Sequence, residues 1–229
     1  MLKEVIKKCI IVMEKLVNKL NNQLSKTKTH VDNYRPVYAL NRDSAGFTAK
    51  MKELTFTLVS DRAEGVYIYD LDDNKYIDLT MGFGSLLFGH NNKEIKEVIK
   101  DQLNISWSVG AMSPLAGELA KQLCEVTNNE RVAFFNTGTE AVMVALRLAK
   151  AATQKKHFVF FKVAYHGTFD PLLSMKTDAD GQAKEMVPGV TQNILNESYI
   201  FEYGSQEGLD FIKNNKDKIA AVLVEPVQS

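Results

Sequence analysis

An alternation constrains this chain more than any other feature. Between residues 131 and 224, short apolar runs at 131–135, 157–163, 199–201 and 219–224 take turns with amphipathic stretches. Those stretches lie at 138–152 and from Ser205 to about Lys213. An apolar run without polar alternation is a strand buried on both faces, and amphipathic helices are what cover such faces. The pattern therefore predicts an α/β fold: a mostly parallel sheet flanked by helices. With 229 residues, 45% of them hydrophobic and 24% charged, the chain can fill a sizeable core. Collagen-like, disordered and disulfide-scaffold classes are excluded.

The N-terminal part reads differently. Leu2, Val5, Ile6, Cys9, Ile10, Met13, Leu16, Val17 and Leu20 recur at helical spacing, which predicts one amphipathic helix over 2–24. Residues 1–28 hold seven Lys and two Glu, a local charge of +5. Such a helix presents a solvated face while packing on the body or a partner; binding to a membrane surface or an acidic partner is the other reading. Residues 25–50 are polar and turn-rich, as in a linker or extended arm. A hairpin follows, with Val66-Tyr67-Ile68-Tyr69 and Tyr76-Ile77-Asp78-Leu79 on either side of Asp72-Asp73-Asn74. Beyond the glycines at 82, 84 and 89, Asn92 is placed to cap a helix to about Leu103, with Ile95, Val98, Ile99 and Leu103 on its buried face. Ser113-Pro114 opens another, to about Val126. The expected organisation is a basic helix (1–28), an N-terminal arm and hairpin belonging to a small domain (29–90), and the first part of a large α/β domain (91–229).

Charge and cysteine content narrow the partners. Lys+Arg and Asp+Glu both number 28, giving +0. Balance argues against nucleic acid or an anionic membrane as the main partner. Cys9 and Cys124 are far apart, without metal-ligand spacing, and read as free thiols in a reducing compartment. No metal is expected. No apolar run has membrane-spanning length, and Lys3, Glu4, Lys7, Lys8, Glu14 and Lys15 interrupt the first helix as no secretory core would be. A cytoplasmic protein is expected.

The most informative local segment is Phe134-Phe135-Asn136-Thr137-Gly138-Thr139-Glu140-Ala141, where a strand passes into a helix. Thr137 and Glu140 have capping-box spacing. Gly138 lets a ligand approach the backbone, and the Thr139 hydroxyl joins the free N–H groups of the first turn. A helix N-terminus of this kind, at the carboxyl edge of a sheet, binds phosphate. It is equally a well-capped helix with no ligand. Other phosphate motifs fail. No Gly-Lys-Ser/Thr occurs, and Gly82-Phe83-Gly84 is followed by Leu87 where a dinucleotide fingerprint needs glycine.

Two more strand ends carry chemistry. Tyr165-His166 follows the 157–163 run: an aromatic face for stacking on a heterocycle and a group able to hold a proton. Each residue is also unremarkable alone, as a packed tyrosine and a turn histidine. Glu225-Pro226 follows the last run, and its carboxylate could be an ordinary loop residue. Together a phosphate anchor, a stacking ring and a carboxylate describe a site for a flat phosphorylated cofactor such as pyridoxal 5'-phosphate.

At these residues the chain resembles the class III aminotransferases, which are pyridoxal-phosphate enzymes of fold type I, over roughly 50–229. Phe135 to Ala141 followed by Ala145-Leu146-Arg147-Leu148-Ala149 carries the resemblance most specifically. It implies that Gly138 and Thr139 hold the cofactor phosphate, that Tyr165 stacks on its ring with His166-Gly167 completing the motif, and that Glu225 lies near the cofactor. Asp78 to Gly82, Gly84, Gly89 and His90 match the family's glycine-bearing loop. Phe83 falls where glutamate-1-semialdehyde aminomutases place an aromatic of the substrate pocket. Further segments resemble aminotransferase domains of hybrid polyketide–nonribosomal peptide synthetases: Asn41-Arg42-Asp43-Ser44-Ala45-Gly46-Phe47, Leu79 to Gly84, Ser113 to Glu118, Tyr165 to Asp170, and Val224 to Ser229. Many free-standing members have Gly where this chain has Ser229.

The resemblance implies transamination with an amino donor and a keto substrate, here a β-ketoacyl chain held as a carrier-protein thioester, by a homodimer. An intramolecular aminomutase and a non-catalytic fragment are the alternatives. It also implies that the aspartate on the pyridine nitrogen and the Schiff-base lysine lie beyond Ser229. No lysine here fits by motif; Lys162, the nearest to the candidate pocket, has no counterpart. The chain is therefore expected to be an N-terminal portion, incomplete at the C-terminus and inactive alone.

Overall fold

A computed structural model describes residues 2–39, 57–107, 110–177 and 181–228. The motif at 41–47 and Ser229 lie outside them. The chain divides into two compact units, 1–111 and 112–229.

In the first unit, α1 (Leu2–Gln23) is followed at once by α2 (Ser25–Tyr34). The break falls at Leu24, which is buried and non-helical. The polar residues expected to form a linker from 25 are thus helical to 34. The reason is a cap supplied from elsewhere in the sequence. Asp72 accepts from the Lys26 N–H at 2.8 Å and from the Thr27 N–H at 2.9 Å, two of the first-turn donors that α2 cannot satisfy itself. Burial pushes the Asp72 carboxyl up, but hydrogen bonding from Lys26 and Thr27 together with the Lys26 charge holds it below its ordinary range.

Asp72 sits at the tip of an antiparallel meander of β1 (Ser60–Glu64), β2 (Tyr67–Asp70) and β3 (Lys75–Ile77). Its turn is organised by Asp70, buried at the end of β2, which accepts from the Asp72 and Asn74 N–H groups and the Tyr76 hydroxyl. Burial would raise this carboxyl; the hydrogen bonds prevail and lower it. Burial and the same carboxylate push the Tyr76 phenol up to about 12. The polar sequence of β1 hid it from pattern reading. It is held by its ladder to β2, where Arg62 lies over the Tyr69 ring at 4.2 Å.

After the meander, Asp78 accepts from the Thr80 and Met81 N–H groups and meets His90 Nε2 at 2.8 Å. Between them runs a turn, Met81–Gly84, whose four residues all have positive φ. α3 (Lys93–Ile105) begins where expected, with the Asn92 side chain accepting from the Ile95 N–H. Its expected buried face is not buried: Ile95, Val98, Ile99 and Leu103 are all exposed. Periodicity identifies a face that wants cover without supplying the cover.

The second unit begins with α4 (Pro114–Thr127), capped by Ser113 with proline at its start, and α5 (Gly138–Thr153). A parallel sheet of order β7-β4-β8 follows: β4 (His157–Phe161), β7 (Ser198–Phe201) and β8 (Ile219–Val222). The run 131–135 does not form the expected strand. It has no ladder partner among the described residues, and Phe134 and Phe135 are exposed. A small hairpin of β5 (Ser174–Lys176) and β6 (Ala183–Glu185) and the short α6 (Gln192–Leu195) precede β7; α7 (Gln206–Asn214), capped by Ser205, precedes β8.

The core lies on both faces of this sheet, as alternation along a strand requires. Phe158, Phe160 and Ile200 pack with Leu146 of α5 on one face. Val159, Phe201 and Ile219 pack with Phe211 of α7 on the other. A parallel sheet covered by helices on both faces is the α/β architecture expected from the sequence.

Candidate functional site

β4 and β8 are parallel neighbours, so the segments leaving their carboxyl ends share one edge of the sheet. Tyr165 and His166 follow β4; Glu225 follows β8. The chain turns sharply after β4, with Val163 at φ 69° and Gly167 at φ 100°. The turn is held from two sides. Glu225 Oε2 accepts from the Tyr165 N–H at 2.9 Å, and Gln228 Nε2 donates to the Lys162 carbonyl at 3.0 Å. The tyrosine ring itself is exposed.

The same turn is tied to the start of α5. Thr139 Oγ1 accepts from the Thr168 N–H at 3.1 Å, which leaves the hydroxyl proton to donate elsewhere. Gly167 lies so close that a Cβ there would sit 2.5 Å from Thr139 Oγ1 and 2.9 Å from Thr139 Cα. The capping box read from the sequence is present. Thr137 Oγ1 accepts from the Glu140 N–H at 3.1 Å, and Glu140 Oε2 accepts from the Thr137 N–H at 2.9 Å. It uses up the outer donors and leaves the Gly138 and Thr139 N–H groups at the positive end of a 16-residue helix. A Cβ built on Gly138 meets nothing within 4 Å. The chain's own packing does not require that glycine, and the space above it is open to a ligand.

His166 is half-buried. Its ring centroid lies 6.4 Å from that of Phe160, and its Nε2 is buried without a hydrogen-bond partner among the described residues. Burial pushes the imidazole below its ordinary 6.5, against the opposing charge of Glu225. The unfolded chain therefore binds the proton more readily, and stability falls as pH drops from about 6.5 toward the lowered native value. Denaturant midpoints at pH 7.5 and 5 are expected to differ by more in the natural chain than in His166→Phe. Equal differences would show that this imidazole is not kept neutral by burial.

Five of the residues singled out in the sequence, Gly138, Thr139, Tyr165, His166 and Glu225, thus meet within the second unit. Phe83 lies in the first, at the third position of the positive-φ turn, and is exposed. Lys162 pairs with Glu202 at 2.9 Å. Sequence reasoning placed Thr168 and Gln228 in matching segments but gave them no role; their contributions are one backbone N–H and one side-chain amide, and neither residue type signals such a role. Among the described residues no His, Cys, Asp or Glu cluster could hold a metal, and no helix is long and apolar enough to cross a membrane.

The residues present fit a phosphate-bearing planar group. Two amides without a partner among the described residues and a hydroxyl proton converge at a helix N-terminus, open space lies over Gly138, and an exposed aromatic residue follows the neighbouring strand. Comparison with known proteins agrees with that chemistry. Residues 48–229 match the family model for class-III aminotransferases. The chain is 36% identical over 174 residues to glutamate-1-semialdehyde 2,1-aminomutase from Caldicellulosiruptor saccharolyticus, which covers 74% of this chain and 39% of that protein. It is 33% identical over 210 residues to the protein of that name from Caldicellulosiruptor bescii, covering 90% and 48%. The chain therefore spans half or less of the length of these relatives. Among solved structures, an omega-transaminase from Sphaerobacter thermophilus superposes with a TM-score of 0.78 at 24% identity, over 90% of this chain and 49% of that one. A glutamate-1-semialdehyde aminomutase from Pseudomonas aeruginosa gives 0.78 at 18%, over 98% and 49%. The fold is thus that of the fold-type-I transferases, and the chain belongs to the class III aminotransferases.

Proposed function

We propose that this chain supplies the phosphate- and ring-binding portion of a pyridoxal-phosphate-dependent aminotransferase. When bound, the cofactor supplies the electron sink that makes amino-group transfer possible. The chain's own residues bind and orient. The Gly138 and Thr139 amides and the Thr139 hydroxyl donate to the phosphate, and Tyr165 sets the ring plane. Glu225 fixes Tyr165 through its backbone N–H, and His166 fills the wall behind as a neutral imidazole. The observation that carries this reading is the bond between Thr139 and Thr168, which ties phosphate anchor and stacking turn into one cradle. The lysine that would bond the cofactor belongs, on this reading, to the part of the relatives' length that this chain does not span.

For the amino acceptor, the segments from Leu79, Ser113, Tyr165 and Val224 support a β-ketoacyl carrier-protein thioester in polyketide or peptide biosynthesis. The names of the relatives support a second reading, an intramolecular aminomutase. Turnover of the whole protein without an external amino donor would decide for the mutase. We place the protein in the cytoplasm as a homodimer, with Phe83 in the substrate pocket.

Cofactor binding is testable on the chain as it stands. Pyridoxamine 5'-phosphate lacks the aldehyde that would label surface lysines. Titration calorimetry is expected to give it at least about tenfold tighter binding than pyridoxamine, with Thr139→Val removing most of the difference. Equal affinity for the two compounds would overturn the phosphate assignment.

A further inference from the structure

The chain leaves β4 through a tight turn. The Ala164 N–H donates to the Phe161 carbonyl at 3.3 Å, so Lys162 and Val163 are its two central residues. Of these two only Val163 has positive φ, at 69°. That is the type II arrangement, whose second central residue is ordinarily glycine or asparagine. A β-branched residue there is strained, because its Cβ crowds the carbonyl that follows. Among the described residues, Val163 is the one β-branched residue with positive φ. Packing does not hold it so, since the side chain is 69% exposed.

Lys162 is fixed through all three of its polar groups. Its N–H donates to the Phe201 carbonyl at 2.9 Å, and its Nζ reaches Glu202 at 2.9 Å. Its carbonyl accepts from Gln228 Nε2 at 3.0 Å. That carbonyl belongs to the peptide between the two central residues of the turn. Types I and II differ by a flip of this peptide, and in type I the second central residue returns to negative φ. Strain at Val163 favours the flip; the Gln228 bond opposes it. A hydrogen bond and left-handed strain are of similar size, so a single side-chain amide shifts the balance. We propose that Gln228 is a positioning residue for the cofactor ring: it pins the Lys162–Val163 peptide in the type II orientation, and the turn so held presents Tyr165. In the flip, Lys162 ψ and Val163 φ each turn by about 150–170°. The part that does not cancel is passed on to Tyr165, whose N–H meets Glu225 at 2.9 Å. The role rests on the reading of Tyr165 as the ring-stacking residue; the state of the turn does not.

Residue-resolved amide hydrogen exchange on the cofactor-free chain tests the turn, and calorimetry with pyridoxamine 5'-phosphate tests the role. In Gln228→Leu, exchange at the Tyr165 N–H is expected to quicken by at least about fivefold, while the amides within β4 keep their rates. Affinity for the phosphate compound is expected to fall by at least about fivefold. Adding Val163→Gly, which removes the strain, is expected to bring both back to within about twofold of the natural chain, and Val163→Asn to do so in part. A side chain that only stabilised the fold would move the β4 amides as well. Unchanged Tyr165 exchange in Gln228→Leu would overturn the proposal, as would a loss that Val163→Gly does not restore. So would faster exchange with affinity unchanged in a chain that prefers the phosphate compound to pyridoxamine. A natural chain without that preference would overturn the cofactor reading and the positioning role with it, while the exchange rates would still decide whether Gln228 holds the turn.

Discussion

Gly167→Ala is expected to lower pyridoxamine 5'-phosphate affinity by at least about 100-fold, the largest loss from a single methyl group in this site. The methyl would stand 2.5 Å from Thr139 Oγ1 and 2.9 Å from Thr139 Cα. The Cα belongs to the first turn of α5, so the clash cannot be relieved by rotating a side chain. Either the turn after β4 lifts, breaking the Thr168–Thr139 bond, or the helix start shifts and its amides lose their aim. The backbone angle adds to this. At φ 100° an alanine is strained by about 1–2 kcal/mol or more before any contact is counted. Calorimetry on the variant checks it, with unfolding followed alongside. Retention of affinity within about threefold would mean that the cradle does not depend on this approach.

Phe201→Ala should cost the second unit about 3–5 kcal/mol, a large part of the stability of an ordinary domain. Phe201 ends β7, is almost wholly buried, and packs on Phe211 of α7 with ring centroids 5.0 Å apart. Two glycines are fitted to it. A Cβ on Gly181 would lie 2.2 Å from the ring, and one on Gly208 would lie 3.0 Å from the Phe201 Cβ. Surroundings shaped this closely do not collapse into the space left by the ring. The midpoint of urea unfolding should drop without a change in slope. A loss under about 1 kcal/mol would show that the site repacks freely.

Much of this was legible because the signals are local. Asn92, Ser113, Thr137 and Ser205 each stand just before an apolar periodic stretch, and each caps its helix as read. The apolar runs at β4 and β8 became parallel neighbours, so the reading of a shared carboxyl edge for Tyr165 and Glu225 survived. What failed depended on distant partners. The run at 131–135 has apolar strand composition but no ladder. The face of α3 has the right period but stays exposed. In the site, Gln228 and the Thr168 amide act only because the fold brings residues together that lie 66 and 29 positions apart. No composition marks such contacts.

The Asp72 cap on α2 has a consequence for the order in which the first unit folds. A ten-residue helix of mostly polar residues is too short to persist alone in water. Its start is satisfied by a carboxylate 45 and 46 positions away. Closing a loop of that length costs chain entropy before any contact repays it. The meander, whose strands are joined by tight turns, is expected to close first and to present Asp72 as a finished template. On that order α2 should condense late, on the product side of the folding barrier. Substitutions in α2 should therefore speed unfolding and leave the refolding rate almost untouched, whereas changes at Asp70 should slow refolding.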